Sequence, residues 1–170
     1  MKIIETCNTR RGDDFAPMRK LMPVILFVAI FALAACGATG SQNQQSAAGT
    51  FTVRDADNSS VTLSLADGPI LFVAYWCSHC ETYLKDSGLD ELPTVVSVFP
   101  QAGDNLKSMV AQTRDKLNST GWTDTTFFVA MNRLSGVEFT PSLAYLKDGK
   151  VVIANPFEMD PQTIKGLMGS

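Results

Sequence analysis

The chain has 170 residues, 45% of them hydrophobic, with 14 Lys/Arg against 17 Asp/Glu and a net charge of −3. That length suits one folded domain plus additional segments. No basic cluster interrupts the acidic balance, which argues against a nucleic acid as partner.

Residues 1–17 are polar, mixed in charge and without periodicity, consistent with translation starting at Met18 rather than Met1. Met18-Arg19-Lys20 then leads into an apolar run from Leu21 to Ala35. A short basic head, a run of about 15 apolar residues and a small-residue end describe a secretory signal over residues 18–35. The run falls short of the roughly 20 residues of a permanent membrane span. Leu33-Ala34-Ala35-Cys36-Gly37 resembles the bacterial lipobox, in which cleavage leaves a lipid-modified cysteine, here Cys36, at the new N-terminus. The alternative is an ordinary signal with a stray cysteine at its edge. Gly37 to Gly49 contains only Gly, Ser, Gln, Asn, Ala and Thr. Such a segment buries no core, so residues 36–50 read as a flexible tether. Two or more acyl chains anchor a protein stably. The expected location is therefore the outer face of a bacterial cytoplasmic membrane, where disulfides persist. Loss of everything before Cys36 removes 5 of the 14 basic and 3 of the 17 acidic residues, leaving 9 against 14, a net −5.

The folded domain is expected over residues 51–170. Phe51 to Arg54 and Val61 to Leu65 alternate apolar and polar around Asp57-Asn58-Ser59, the pattern of a β-hairpin. Asp67-Gly68-Pro69 turns into the apolar run Pro69 to Tyr75, a buried strand. Glu81 to Asp86 reads as a helix. Thr94 to Phe99 is a second buried strand, stopped by Pro100. From Asp104 to Asn118 the spacing of Leu106, Met109, Val110, Thr113 and Leu117 marks one face of an amphipathic helix, with Asp104 as its expected cap. Thr125 to Met131 fits strand or helix equally. Ser142 to Leu146, Asp148-Gly149 and Val151 to Ile153 form a second hairpin. Asp160-Pro161 caps a closing helix to Met168. The fold class is α/β: a central mixed β-sheet with helices on both faces and an N-terminal β-hairpin.

Cys77 and Cys80 lie two residues apart where the first buried strand gives way to the first helix. A helix N-terminus offers unpaired N–H groups and about half a positive charge, and both favour a thiolate. The thiolate is the species that disulfide exchange requires. Zinc needs about four ligands. The chain holds four cysteines and one histidine, Cys7 and Cys36 fall in or before the leader, and His79 sits between the pair. Haem attachment needs a histidine directly after the second cysteine, and Glu81 stands there. A purely structural disulfide closing so short a loop restrains the unfolded chain little. Reversible dithiol chemistry fits the pair best.

Three stretches resemble the thioredoxin superfamily, and more closely its extracytoplasmic, membrane-anchored TlpA-like members, over roughly residues 60–168. They are Phe72-Val73-Ala74-Tyr75-Trp76-Cys77-Ser78-His79-Cys80, Gly136-Val137-Glu138-Phe139-Thr140-Pro141-Ser142, and Leu143-Ala144-Tyr145-Leu146-Lys147-Asp148-Gly149-Lys150. The resemblance implies a thioredoxin-like fold with Pro141 cis beside the cysteines. It implies that Cys77 attacks a substrate disulfide, that Cys80 resolves the mixed disulfide, and that Trp76, Ser78 and Thr140 contact the substrate. Protein thiols and disulfides are the implied partners, with a membrane electron donor or acceptor, no metal or organic cofactor, and a monomeric state.

The chain also departs from that pattern. Leu71 stands where many thioredoxins carry a buried aspartate, and Tyr83 where some TlpA-like reductases carry a glutamate. Glu81 is expected to face solvent. An imidazolium at His79 would stabilise the Cys77 thiolate and raise the potential, as in oxidising Dsb-type proteins; a solvated His79 would do neither. Thr140 instead resembles members that reduce or isomerise, so the direction of electron flow stays open. The competing reading is a thioredoxin-like binding module that assists export or maturation of a secreted partner.

Overall fold

The computed structural model describes residues 49–169. The upstream extension, the signal segment, Cys36 and nearly all of the tether lie outside those residues. In chain order the elements are β1 (Thr50–Arg54), β2 (Ser60–Ser64), β3 (Ile70–Val73), α1 (Ser78–Asp86), β4 (Thr94–Ser97), α2 (Leu106–Ser119), β5 (Phe127–Val129), β6 (Ser142–Lys147), β7 (Lys150–Ala154), a 3-10 turn (Pro156–Glu158) and α3 (Pro161–Met168). The ambiguous segment is thus a strand, β5. A lone apolar run of that length has no periodicity to separate strand from helix.

The strands form one mixed sheet in the order β2-β1-β5-β4-β3-β6-β7. β3, β4 and β5 run parallel, while β6 runs antiparallel to β3. Both expected hairpins are present, β1 with β2 and β6 with β7. The second turns on Asp148 and Gly149, at φ +52° and +71°. Two successive positive φ values give the tight turn whose twist matches the flanking strands.

Side chains alternate across β3. Leu71 and Val73 face one hydrophobic cluster, Ile70 and Phe72 the other. The first cluster receives Leu84 from α1, Met109 and Leu117 from α2 and Ile164 from α3. Each such side chain, fully buried, contributes on the order of 1.5–3 kcal/mol. The second cluster holds Phe51, Val53, Phe72, Val96 and Ala144 from the sheet, with Phe51 and Phe72 edge-on at 5.1 Å between ring centroids. Its cover comes from Leu134 and Val137, in the stretch between β5 and β6. The expected helix on that second face is therefore absent among the described residues. Two features explain the correction. The parallel crossovers β3-α1-β4 and β4-α2-β5 step the same way along the sheet, and right-handed crossovers then place both helices on one face. The connection from β5 to β6 is an irregular segment.

Local caps follow the sequence with one exception. Asp160 caps α3 with Pro161 in its first turn. α2 is capped not by Asp104 but by Asn105, which accepts from the Ser108 N–H while Ser108 returns a bond to the Asn105 N–H. That is a capping box. Asp104 is drawn elsewhere: it accepts from the Tyr75 hydroxyl at 2.6 Å and from the Gln101 N–H at 2.7 Å.

The register fixes which end of the sheet is which. Val73 pairs with Ser97, Ser97 with Val129, and Val129 with Arg54. The last residue of β1 thus lies at the end of the sheet where α1 begins. Gly49 and Thr50 lie at the other end. There Gly49, at φ +89°, accepts from the Leu65 N–H at 2.8 Å and packs close to Leu146 and Val151. Among the described residues no helix is long and apolar enough to cross a membrane.

Candidate active site

The chain leaves β3 through Ala74-Tyr75-Trp76 and turns directly into α1, which starts three residues earlier than the sequence pattern indicates. Cys77 is its N-cap, in extended backbone at φ −82° and ψ 119°. Its Sγ accepts from the Cys80 N–H at 3.2 Å, one of the unpaired donors of the first turn. The Cys77 thiol also lies 3.6 Å from the Thr140 carbonyl oxygen, to which it donates. Thr140 precedes Pro141 through a cis peptide bond. Cys80 sits beneath, wholly buried, and its Sγ accepts from the Ala74 N–H at 3.5 Å. Both cysteines are free thiols.

The two sulfurs differ sharply in acidity. Burial pushes the Cys77 thiol up, but hydrogen bonds from the Cys80 side chain and N–H, from the Thr140 side chain and from the His79 N–H outweigh it, and the net shift is downward. Cys80 is pushed up to about 12, first by burial and then by its hydrogen bond with Cys77. Cys77 is thus the more acidic sulfur, while Cys80 holds its proton in the core.

Two other titratable side chains of α1 supply no base. Glu81 faces solvent, as expected, and is paired there: Lys85 and Lys116 each approach it to 2.7 Å. Those hydrogen bonds, Lys116 foremost, hold its carboxyl at about 2. Tyr83 is buried edge-on against Phe157 at 5.4 Å between ring centroids. Its hydroxyl finds no partner among the described residues, and burial pushes it up to about 12. A phenol that holds its proton so tightly cannot accept one at neutral pH.

A cleft of about 630 Å³ opens at Cys77. Of the residues the sequence singled out, Trp76, His79 and Thr140 line it, while Ser78 is exposed at the head of α1 and does not line it. Pro141 is buried. The sequence pattern did not reveal the remaining walls: Phe99, Pro100, Arg133, Glu138 and Phe139. These residues lie in irregular segments, where no periodicity marks them. The available signals were Phe139, a large apolar residue directly before Thr140-Pro141, and Pro100, which reads only as a strand stop. Trp76 and Phe139 are 47% and 45% exposed, so the walls present apolar surface to solvent. Trp76 is held in place by its indole N–H, which donates to the Phe99 carbonyl at 2.9 Å.

No family model matches the chain, and no curated protein matches it. Among solved structures it is similar to the exposed lipoprotein thioredoxin Etrx1 of Streptococcus pneumoniae strain TIGR4, at 22% identity over 69% of this chain and 99% of that one, with a TM-score of 0.40. It is also similar to a secreted Mycobacterium tuberculosis disulfide oxidoreductase described as homologous to DsbE of E. coli, at 16% identity over 70% of this chain and 94% of that one, with a TM-score of 0.41. The strand order and the dithiol opening α1 carry the assignment by themselves: the described domain has the thioredoxin-like fold.

Proposed function

We propose that the protein is an extracytoplasmic thiol–disulfide oxidoreductase, tethered to the membrane through a lipid on Cys36, that exchanges disulfides with other proteins. The observation that carries this reading is the asymmetry of the dithiol: a partly accessible, acidified Cys77 above a buried Cys80 held near 12. The Cys77 thiolate attacks one sulfur of a substrate disulfide. A mixed disulfide forms, and the other substrate sulfur leaves as a thiolate and takes a proton. Cys80 then gives up its proton and attacks the Cys77 sulfur, releasing the second substrate thiol. Two electrons pass from the protein to the substrate, and the reverse sequence oxidises a dithiol. A membrane-borne donor or acceptor restores the starting state.

Replacing Cys80 with serine removes the resolving step. Cys80→Ser should accumulate covalent, dithiothreitol-sensitive adducts with cell-surface proteins, and Cys77→Ser should not. A partner still held when both cysteines are serine would favour the binding-module reading instead. Equilibration with glutathione gives the direction: near about −270 mV the protein resembles a thioredoxin, near about −120 mV a strong oxidant. Cys36→Ala should move the protein out of the membrane fraction, and unchanged retention would refute the lipid.

A further inference from the structure

Two consecutive residues of the motif reach into one loop. Trp76 donates to the Phe99 carbonyl at 2.9 Å, and Tyr75 donates to Asp104 at 2.6 Å. Between these attachment points the loop closes on itself, since the Asp104 carboxylate takes the Gln101 N–H at 2.7 Å and the Asp104 N–H donates to the Gln101 carbonyl at 3.0 Å. The Ser108 hydroxyl reaches the same carboxylate at 3.2 Å, tying it to α2.

Phe99 heads this loop at φ +58°. A bulky side chain is an outlier in left-handed backbone, and such a residue persists only where its surroundings over-determine it. Here the surroundings are the Trp76 bond on one side and the Asp104-centred loop on the other. What the strain maintains is a wall, because Phe99 and Pro100 line, together with Phe139 and Thr140, the cleft that opens at Cys77.

We infer that Asp104 is a positioning residue for substrate recognition: through Tyr75 and the loop from Phe99 it holds one wall of the cleft, and so governs binding of polypeptide substrates rather than the exchange step. It touches neither sulfur. A small disulfide needs only Cys77, whereas a polypeptide must also lie against the wall. The inference rests on the oxidoreductase reading and narrows it to substrates that occupy the cleft with the residues flanking their disulfide.

The test compares insulin with bis(2-hydroxyethyl) disulfide as substrates for the parent protein, Asp104→Ala and Asp104→Asn. Asp104→Ala removes an acceptor shared by three donors, and lost bonds to a charged acceptor of this kind should raise the KM for insulin about tenfold at nearly constant kcat. Its second-order rate with the small disulfide should stay within about twofold of the parent, which also reports an intact dithiol. Asp104→Asn keeps a side-chain oxygen for Tyr75 and Gln101 and should recover most of the insulin KM. If Asp104→Ala leaves insulin KM unchanged, or slows both substrates alike, the inference fails while the oxidoreductase reading stands. If Asp104→Asn is as impaired as Asp104→Ala, the oxygen acceptor is not what holds the wall and the inference also fails. A parent inactive toward both substrates refutes the oxidoreductase reading and this inference with it.

Discussion

Pulse alkylation of the reduced protein should discriminate between the two cysteines by a calculable factor. Cys77 is lowered from 9.0 and Cys80 raised to about 12. Even with Cys77 placed at 9.0, the thiolate fractions at neutral pH differ by about a thousandfold. The more basic Cys80 thiolate is intrinsically the stronger nucleophile, with a Brønsted slope of about 0.4–0.5, which returns roughly thirtyfold over that interval. The remaining preference for Cys77 is at least about thirtyfold from acidity alone. Access widens it, since Cys77 is 7% exposed and Cys80 0%. The assay is a short iodoacetamide pulse at a series of pH values, quenched and read by peptide mass spectrometry. Labelling of Cys77 should rise through a midpoint below 9.0 and then level off, with Cys80 unlabelled until the chain unfolds. The same shifts set the pH dependence of the reduced fold. The contribution of Cys77, whose folded value is depressed, is present above 9.0 and lost as pH falls through that lower value. The contribution of Cys80, whose folded value is raised, is present below 9.0 and lost as pH climbs toward about 12. Equal labelling of the two cysteines, or faster labelling of Cys80, would refute the division of roles.

Two further predictions concern groups around the site. Thr113 in α2 donates to Ser97 in β4 at 2.8 Å, with both residues at most 1% exposed. Thr113→Val leaves the Ser97 hydroxyl buried without its partner and should cost about 1–3 kcal/mol in urea denaturation, while adding Ser97→Ala should recover most of the loss; a double variant less stable than the single one would contradict the account. His79 is exposed, and its N–H, not its ring, is the group that reaches Cys77. Replacing the ring with the amide of His79→Gln should therefore lower the reduction potential by less than about 30 mV, the equivalent of one pH unit in thiol acidity, and a rise measured against glutathione would reverse the sign of the argument.

The parts of the fold that were legible in the sequence are those fixed by neighbours along the chain. The alternation around Asp57-Asn58-Ser59, the Asp148-Gly149 turn and the Asp160-Pro161 cap each specify their element locally. The apolar run into Cys77 announces a buried strand feeding a helix, and the spacing of Met109, Thr113 and Leu117 matches the face that α2 buries. What escaped depends on distant partners. Asp104 looks like a cap until Tyr75, 29 positions earlier, claims its carboxylate. The one-sided placement of the helices follows from crossover handedness, which no local pattern encodes. Of the site, the dithiol and the residues beside it could be read directly, but Phe99, Arg133 and Phe139 converge on the cleft only through the tertiary fold.

The place where Gly49 enters the sheet has a mechanical consequence. Thr50 to Arg54 rise about 3.3 Å per residue, so the amino-terminal attachment point and the end where α1 begins are separated by roughly 15 Å of strand. Within the described domain, an attachment at Gly49 lies at the end of the sheet opposite the one where α1 begins. A redox partner arriving from bulk solution meets the sulfur head-on. Under the proposed anchoring, a partner confined to the same membrane faces the opposite end of the sheet, and the domain must turn over before the sulfurs can touch. If the proposed oxidoreductase is held by the proposed lipid on Cys36, shortening residues 37–49 should slow exchange with a partner in the same membrane and spare exchange with soluble thiols.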